Sequence, residues 1–190
     1  MNIHTAVGIV AALMLLDYFL TFKGYQSYKK HYAKYVEIET YELNPSFKKS
    51  IKEGKYSAKH GASVVFVALI LYALYYYIQV VLSPIFNVAM LIMAQGMLIS
   101  AFLYVNVRHL RNLLIFSGIK RGAKMLEGKL YQSNSFSLRA SCIDAFGMFL
   151  MLFFVFLFFP NVFTLGFASG PLIILLVHLR WMFPQSHSKR

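Results

Sequence analysis

MLLDYFLTFKGYQSYKKHYAKYVEIETYELNPSF, residues 14–47, begins in an apolar segment and ends in a basic, tyrosine-rich one. The apolar part contains one acid, Asp17, and the polar part closes with the sequence Glu42-Leu43-Asn44-Pro45. An ionisable side chain is energetically costly in a membrane. We therefore expect the helix to turn the face that carries Asp17 towards other helices. We expect the chain to leave the bilayer after this helix and to bring Glu42 and Asn44 back beneath the other spans.

The whole chain of 190 residues is too apolar for an ordinary soluble domain. Its apolar share is 58% and its mean hydropathy is +0.57, whereas soluble domains are nearer half apolar. A helix needs about 20 apolar residues to cross a hydrocarbon core of about 30 Å. Five runs of that length occur, at 3–22, 62–82, 85–104, 140–159 and 162–183. The sequence therefore predicts an all-α, polytopic membrane bundle of five transmembrane helices in a single domain, 1–190.

The 19 basic residues are unevenly distributed along the chain. They lie at 23–61, at 105–139 and near the C-terminus, and none lies between the second and third spans or between the fourth and fifth. The positive-inside rule then predicts an outside N-terminus, a cytoplasmic C-terminus, and cytoplasmic segments 23–61 and 105–139. The same charge predicts contact with anionic lipid headgroups, at about 1 kcal/mol per well-placed basic residue. Because membrane topology accounts for the charge, we do not expect nucleic acid as a partner.

The segment after the first span carries tyrosines at helical spacing. Tyr25, Tyr28, Tyr32 and Tyr35 recur every three or four residues, so the helix is predicted to continue beyond residue 22. These side chains either form an interfacial aromatic belt or pack beneath the other spans. The connecting segments are predicted to contain a helix at 45–53 that begins after Asn44 and ends at Gly54, an extension of the third helix to Gly118 or Gly122, and a loop at 128–141.

Two acids, Asp17 and Asp144, lie inside the apolar spans. Each is about five residues from the cytoplasmic end of its span, which at about 1.5 Å per residue places both about 8 Å deep. A carboxylate at that depth needs a partner from a neighbouring helix. Arg108 and His109, just past the third span, are able to reach back towards the acids because long side chains snorkel.

The acids and the polar residues within their reach form one predicted ion- or ligand-binding site, to which no catalytic role is assigned. Its members are Asp17, Thr21, Glu42, Asn44, His60, Arg108, His109, Asn112, Ser141 and Asp144. The competing interpretation is structural, because two acids and one arginine can also serve as an interhelical lock that only fixes how the helices dock.

Motifs for metals and cofactors are missing from the sequence. The predicted site contains residue types that ligate metals, yet none of the spacings typical of metal sites occurs. Neither a glycine-rich phosphate loop nor a dinucleotide-binding motif is present. The sequence therefore leaves metal and cofactor open, and the single Cys142 excludes an intrachain disulfide.

Asp17 followed by Thr21, then Gly24 and the box at 42–45, resembles a pattern in small uncharacterised prokaryotic multi-span membrane proteins. In those proteins the Glu-x-Asn-Pro box follows the first span more closely, whereas a basic, tyrosine-rich insertion separates them here. The resemblance covers about the first quarter of the chain. It implies a location in a prokaryotic cell membrane and a shared site containing Asp17, Glu42 and Asn44. It implies no activity, because none is established for that group.

Three functions are compatible with this sequence. In the first, transport or channel activity, Asp17 and Asp144 relay a cation or proton along a path through Gln95, in a homo-oligomer packed through Gly166 and Gly170. In the second, an intramembrane enzyme acts on a lipid headgroup at the cytoplasmic interface. In the third, the chain is a structural or accessory subunit of another membrane protein.

These functions differ in the cavity that they require. Transport predicts a polar track that continues outward past the acids. An enzyme predicts a pocket at the cytoplasmic side that opens to lipid. A scaffold predicts acids fully paired to Arg108 and no cavity.

Overall fold

The computed structural model describes residues 2–39, 41–44, 46–54, 57–81, 84–122 and 130–182. These residues form six helices and two short strands: α1 (Ile3–His31), β1 (Val36–Ile38), α2 (Lys48–Glu53), α3 (Ala58–Val81), α4 (Pro84–Gly122), β2 (Leu130–Gln132), α5 (Asn134–Phe158) and α6 (Val162–Met182). Five of the helices, all except α2, are long and apolar enough to cross a membrane. The predicted all-helical fold, with five helices long and apolar enough to cross a membrane, is confirmed.

Several helices extend beyond the predicted spans. α1 continues beyond residue 22, as predicted, but it ends at His31, before Tyr32 and Tyr35 of the tyrosine repeat. α4 continues to Gly122, as predicted. α5 begins earlier than the predicted residue 140, because the Ser133 side chain caps it by accepting a hydrogen bond from the Phe136 N–H. The predicted ends of the second and fifth spans, Leu82 and Phe183, lie outside the described residues.

Glycines set the packing of α4 against α6. A Cβ at Gly166 would collide with the Met93 carbonyl, and one at Gly170 would collide with Ser100. The two glycines therefore allow close helix approach, as predicted, but they do so within one chain. α4 of the same chain covers the face through which copies were predicted to pack. The predicted homo-oligomer stays a prediction.

The end of α1 packs against a strand pair that the sequence did not predict. α1 ends at His31, and β1 pairs in parallel with β2 where a loop was expected. The Tyr28 hydroxyl donates to the Val36 carbonyl and accepts from the Ile38 N–H. Tyr28 and Tyr32 are buried, so they pack beneath the bundle rather than form a belt. Three-residue strands are too short to show an alternating pattern.

The short helix α2 begins later than predicted. It starts at Lys48, while the Asn44 side chain accepts from the Ser46 N–H in the preceding turn; Pro45 lies outside the described residues. Gly54 ends the helix, as predicted, with a left-handed φ of 68° that favours glycine. One end of the bundle is here called the basic face. It contains the ends of α1 and α4, the starts of α3 and α5, and the segment with α2 and the strands.

Candidate functional site

Two polar cavities lie at the basic face, on either side of Arg108 and His109 of α4. The first, the Asp17 cavity, has a volume of about 170 Å³, and its polar lining comprises Asp17, Tyr18, Thr21, Glu42, Asn44, His60, Arg108, His109, His178 and Trp181. The second, the Arg111 cavity, has a volume of about 230 Å³, and its polar lining comprises Tyr41, Arg108, His109, Arg111, Asn112, Gln132, Ser137, Ser141 and Asp144. Every residue of the predicted site lines at least one of the two.

Asp17 of α1 meets His109 of α4 inside the first cavity. The Asp17 Oδ1 lies 3.3 Å from the His109 Nε2, and Asp17 also accepts a hydrogen bond from the Thr21 hydroxyl one turn along α1. The His109 residue is only 4% exposed, whereas a quarter of the Asp17 side chain is accessible. Asp17 is thus held through Thr21 and lies next to His109, and part of its side chain is still accessible.

His109 Nε2 faces two partners that require different protons. It lies 3.2 Å from Arg108 Nη2, which can only donate, so this contact needs a lone pair on Nε2. Asp17 Oδ1 has no hydrogen-bond partner among the described residues. It would bond to the same nitrogen only with a proton on the carboxyl group or on Nε2 itself. Shifting one proton between Asp17 and His109 exchanges these arrangements, so the pair is chemically suited to proton transfer.

Side chains from α3 and α4 fix the position of α1 one turn before Asp17. The Asn106 amide donates to the Leu13 carbonyl over 2.9 Å, and His60 Nε2 lies 3.1 Å from the Met14 carbonyl. A carbonyl only accepts, so His60 carries its proton on Nε2 and leaves the Nδ1 lone pair free. His60 also stacks on Tyr18, with ring centroids 4.4 Å apart.

Three buried histidine nitrogens in this cavity have no hydrogen-bond partner among the described residues. They are the Nδ1 atoms of His60, His109 and His178. A buried polar atom without a partner is costly, so each is a position where a bound group or water would be stabilised. His178 was not among the predicted site residues, although a histidine inside an apolar span is itself a signal of an interior polar site.

Glu42 enters the Asp17 cavity from the segment after β1. Its Oε1 accepts a hydrogen bond of 2.7 Å from the Asn44 N–H. Burial raises the pKa of Glu42, and the Asn44 N–H, Arg108 and Lys48 oppose that shift. The predicted return of Glu42 and Asn44 to the first span is thus observed.

Tyr41 packs beside Glu42 and explains the glycine in α1. A Cβ at Gly24 would collide with the Tyr41 hydroxyl, so only glycine lets this ring lie against the helix. Burial, together with the charge of Glu42, raises the pKa of Tyr41, so the phenol stays neutral. In the sequence Gly24 stands out only as part of the resemblance, and nothing there points to a contact with Tyr41.

Asp144 lies in the Arg111 cavity and pairs with a residue that the sequence analysis did not name. Arg111 Nη1 donates to Asp144 Oδ2 over 2.8 Å. Arg108 instead donates to the Ser141 hydroxyl and to His109. The predicted lock, with both acids on Arg108, is not the arrangement seen among the described hydrogen bonds. Arg111 follows Arg108 by three residues and so lies on the same helical face. This spacing is the sequence signal by which Arg111 can be identified as a partner for Asp144.

The polar lining does not continue along the helices away from the basic face. Between α1, α3 and α4 lies a cavity of about 310 Å³ whose lining is apolar except for Gln95. Ser100, also buried, donates its hydroxyl to the Met97 carbonyl of its own helix. The side chains of Gln79 and Asn87 are outside the described part of the chain. The two polar cavities described above thus lie at the basic face, whereas the cavity between α1, α3 and α4 is apolar.

The described residues do not form a preassembled metal centre. Within 2–39, 41–44, 46–54, 57–81, 84–122 and 130–182, no group of three His, Cys, Asp or Glu side chains converges as metal ligands. The candidate ligand types meet in smaller sets, such as Asp17 with His109.

The residues that carry the resemblance to uncharacterised prokaryotic membrane proteins gather at one place. Asp17, Thr21, Glu42 and Asn44 all line the Asp17 cavity, and Gly24 contacts Tyr41 next to it. That these residues line one cavity is a property of this chain, and the resemblance itself stays a prediction. Comparison with protein-family models, curated proteins and solved structures finds no match to this sequence.

Proposed function

We propose that this chain is an intramembrane enzyme that performs acid–base chemistry on a lipid headgroup at the basic face. The observation that carries the proposal is the Asp17 cavity. It combines an accessible carboxyl group, a histidine in contact with that group, and three buried ring nitrogens without partners. These are the groups that general acid–base catalysis needs within hydrogen-bonding reach of a substrate.

Each residue has a role in this proposal. Asp17 and His109 share the proton that is taken from, or given to, a hydroxyl group or water in the cavity. Arg108, next to His109, stabilises negative charge that develops on the substrate. His60 and His178 orient the substrate through their free Nδ1 atoms. Glu42 adds a second carboxyl group on the side that faces the segment after β1.

The apolar surroundings favour an enzyme over a transporter. A transported ion needs polar groups along the whole path, but the space beyond the acids is lined by aliphatic and methionine side chains apart from Gln95. A lipid headgroup needs only a polar cavity at the interface. The two cavities beside Arg108 also disfavour a purely structural lock, which would leave no space.

The location of the chemistry follows from charge. The segments at the basic face hold most of the lysines and arginines, so we propose that this face is cytoplasmic in a prokaryotic cell membrane. The substrate would then be a lipid of the inner leaflet of that membrane.

The proposal is tested with purified protein in sealed liposomes made of lipids with defined headgroups. Lipid mass spectrometry measures headgroup conversion, and a pH-sensitive dye inside the liposomes measures proton flux. We expect conversion by the natural protein and a loss of about 10²-fold or more in Asp17→Asn and His109→Gln, the size typical of a removed acid–base group.

The matched control is Ser169→Ala, because Ser169 is half-buried, lies outside both polar cavities and donates to the Leu165 carbonyl of its own helix. Proton flux that stops in Asp17→Asn, with unchanged lipids, would establish transport instead. Unfolding of both site variants, with neither conversion nor flux in the natural protein, would establish a structural lock.

A further inference from the structure

A groove separates α4 from α5 near the basic face. Both helices pack along α6, but they make little direct backbone contact with each other. The groove has a volume of about 300 Å³, and its apolar wall is formed by Val107, Ile143, Gly147, Met148 and Met151. Ile143 is 73% exposed and Met151 is 66% exposed. In a chain that crosses the membrane, this groove is open to lipid from the side.

The groove ends at a cluster of charged side chains. The end of the groove nearest the basic face is lined by Arg108, Arg111 and Asp144. The same three residues line the adjoining Arg111 cavity. The apolar groove and the polar Arg111 cavity thus meet at two guanidinium groups and one carboxylate. This combination matches an amphiphile with a charged group at one end of an acyl chain.

The charges at this junction favour a phosphate. The two arginines carry one more positive charge than Asp144 compensates. Each guanidinium has five N–H donors, and the described bonds to Ser141, His109, Asp144 and Asn112 use only some of them. Arginine is well suited to phosphate because its fork of donors binds two oxygens at once.

We propose that the α4–α5 groove binds one anionic phospholipid of the leaflet at the basic face. Its phosphate lies at Arg111 and Arg108, and one acyl chain lies along Ile143, Gly147 and Met151. From Asp144 to Met151 the helix rises about 10 Å, so the groove follows the chain into the hydrocarbon core. The net charge of the junction is then neutralised, which a zwitterionic lipid would not achieve.

Gly147 keeps the groove open. A Cβ at Gly147 would meet no atom within 4 Å, so a larger side chain there fills the groove without displacing protein atoms. Gly8 of α1 provides a matched control, since its Cβ would also meet no atom within 4 Å. Both are exposed positions in apolar spans. The lipid site does not depend on the proposed catalytic role of Asp17, and a lipid binds there whether or not the Asp17 cavity is catalytic.

Native mass spectrometry of the detergent-solubilised full chain tests this site with phosphatidylglycerol and phosphatidylethanolamine as competing probes. We expect one retained phosphatidylglycerol, a reduction of at least tenfold in Gly147→Leu, and no change in Gly8→Leu. Arg111→Gln should abolish the preference for phosphatidylglycerol while it leaves the groove intact. Asp17→Asn should retain the lipid, which separates this test from that of the proposed enzyme.

Three results would overturn the proposal. The first is equal lipid retention by Gly147→Leu and the natural protein, which would place the lipid elsewhere. The second is equal retention of both lipids by the natural protein, which would remove the role of charge. The third is an unchanged preference in Arg111→Gln, a variant that keeps the groove and so remains informative if Gly147→Leu does not fold.

Discussion

At the scale of single residues, His109 connects the parts of the site. Its Nε2 contacts both Asp17 and Arg108, while its Nδ1 is buried without a partner among the described residues. A histidine in this position cannot satisfy all its neighbours with one arrangement of protons. A buried polar group left without a hydrogen bond is costly in a purely structural core. The same property is useful in a site that transfers protons.

Glu42 should make the stability of the protein depend on pH. Burial raises its pKa in the folded protein above the ordinary value of 4.5, so the folded state favours the protonated acid. Its contribution to stability is complete below the ordinary pKa and is lost as the pH rises through the raised pKa. Each unit of upward shift corresponds to about 1.4 kcal/mol.

The measurement is thermal unfolding in detergent from pH 4 upward, comparing the natural protein with Glu42→Gln. The two proteins should be similarly stable at the acid end, and the natural protein should become less stable than the variant as the pH rises. Glu53→Gln, at an exposed position of α2, is the control and should follow the natural protein. Parallel curves for the natural protein and Glu42→Gln would show that Glu42 is not perturbed by folding.

At the scale of secondary-structure elements, α4 organises the site. It packs against both α1 and α6, and it carries Arg108, His109 and Arg111 within one turn. The contact with α6 depends on backbone proximity at Gly96, Gly166 and Gly170. Because the helices touch along their backbones, a small change at one glycine should move α4 and the charged residues with it.

Gly166→Ala tests this dependence. The added Cβ would collide with the Met93 backbone, which cannot rotate away as a side chain can. We expect a loss of about 1–3 kcal/mol in unfolding free energy, the usual cost of overpacking. The readout is the unfolding midpoint in detergent, with Gly8→Ala as the control because that site is open. Equal midpoints for both variants would mean that α4 and α6 are not closely packed.

At the scale of the whole molecule, the basic face brings distant parts of the chain together. β1 and β2 join segments almost a hundred residues apart, and Glu39 accepts a hydrogen bond from the Asn134 N–H at the start of α5. This layer covers the two cavities. Its position relative to the membrane determines which leaflet supplies a lipid.

The positive charge predicts that this layer is cytoplasmic, and cysteine labelling tests the prediction. In a Cys142→Ala background, Asn161→Cys lies between α5 and α6 at the opposite end of the bundle. A membrane-impermeant thiol reagent applied to intact cells should label it, whereas Tyr131→Cys, at an exposed position of β2, should react only after the cells are opened. The reverse pattern would invert the topology and move the proposed lipid to the outer leaflet.

The helices and several members of the site could be predicted from the sequence alone. Long apolar runs require helices in a membrane, and Asp17 and Asp144 stand out because charge is costly there. The sequence could not assign Arg111 to Asp144, place His178 next to His109, or show that α4 covers Gly166 and Gly170. Each of these depends on the rotation of one helix against another, which periodicity within a single helix does not specify.

The sequence by itself thus determined that the chain forms apolar helices with acids near one end, because helix length and the cost of buried charge are local properties. Only the tertiary structure decided that the polar residues divide into two cavities around Arg108 and that a groove lies between α4 and α5. The reason is geometric: both α4 and α5 dock on α6, and the angle between them sets which side chains meet and what space remains.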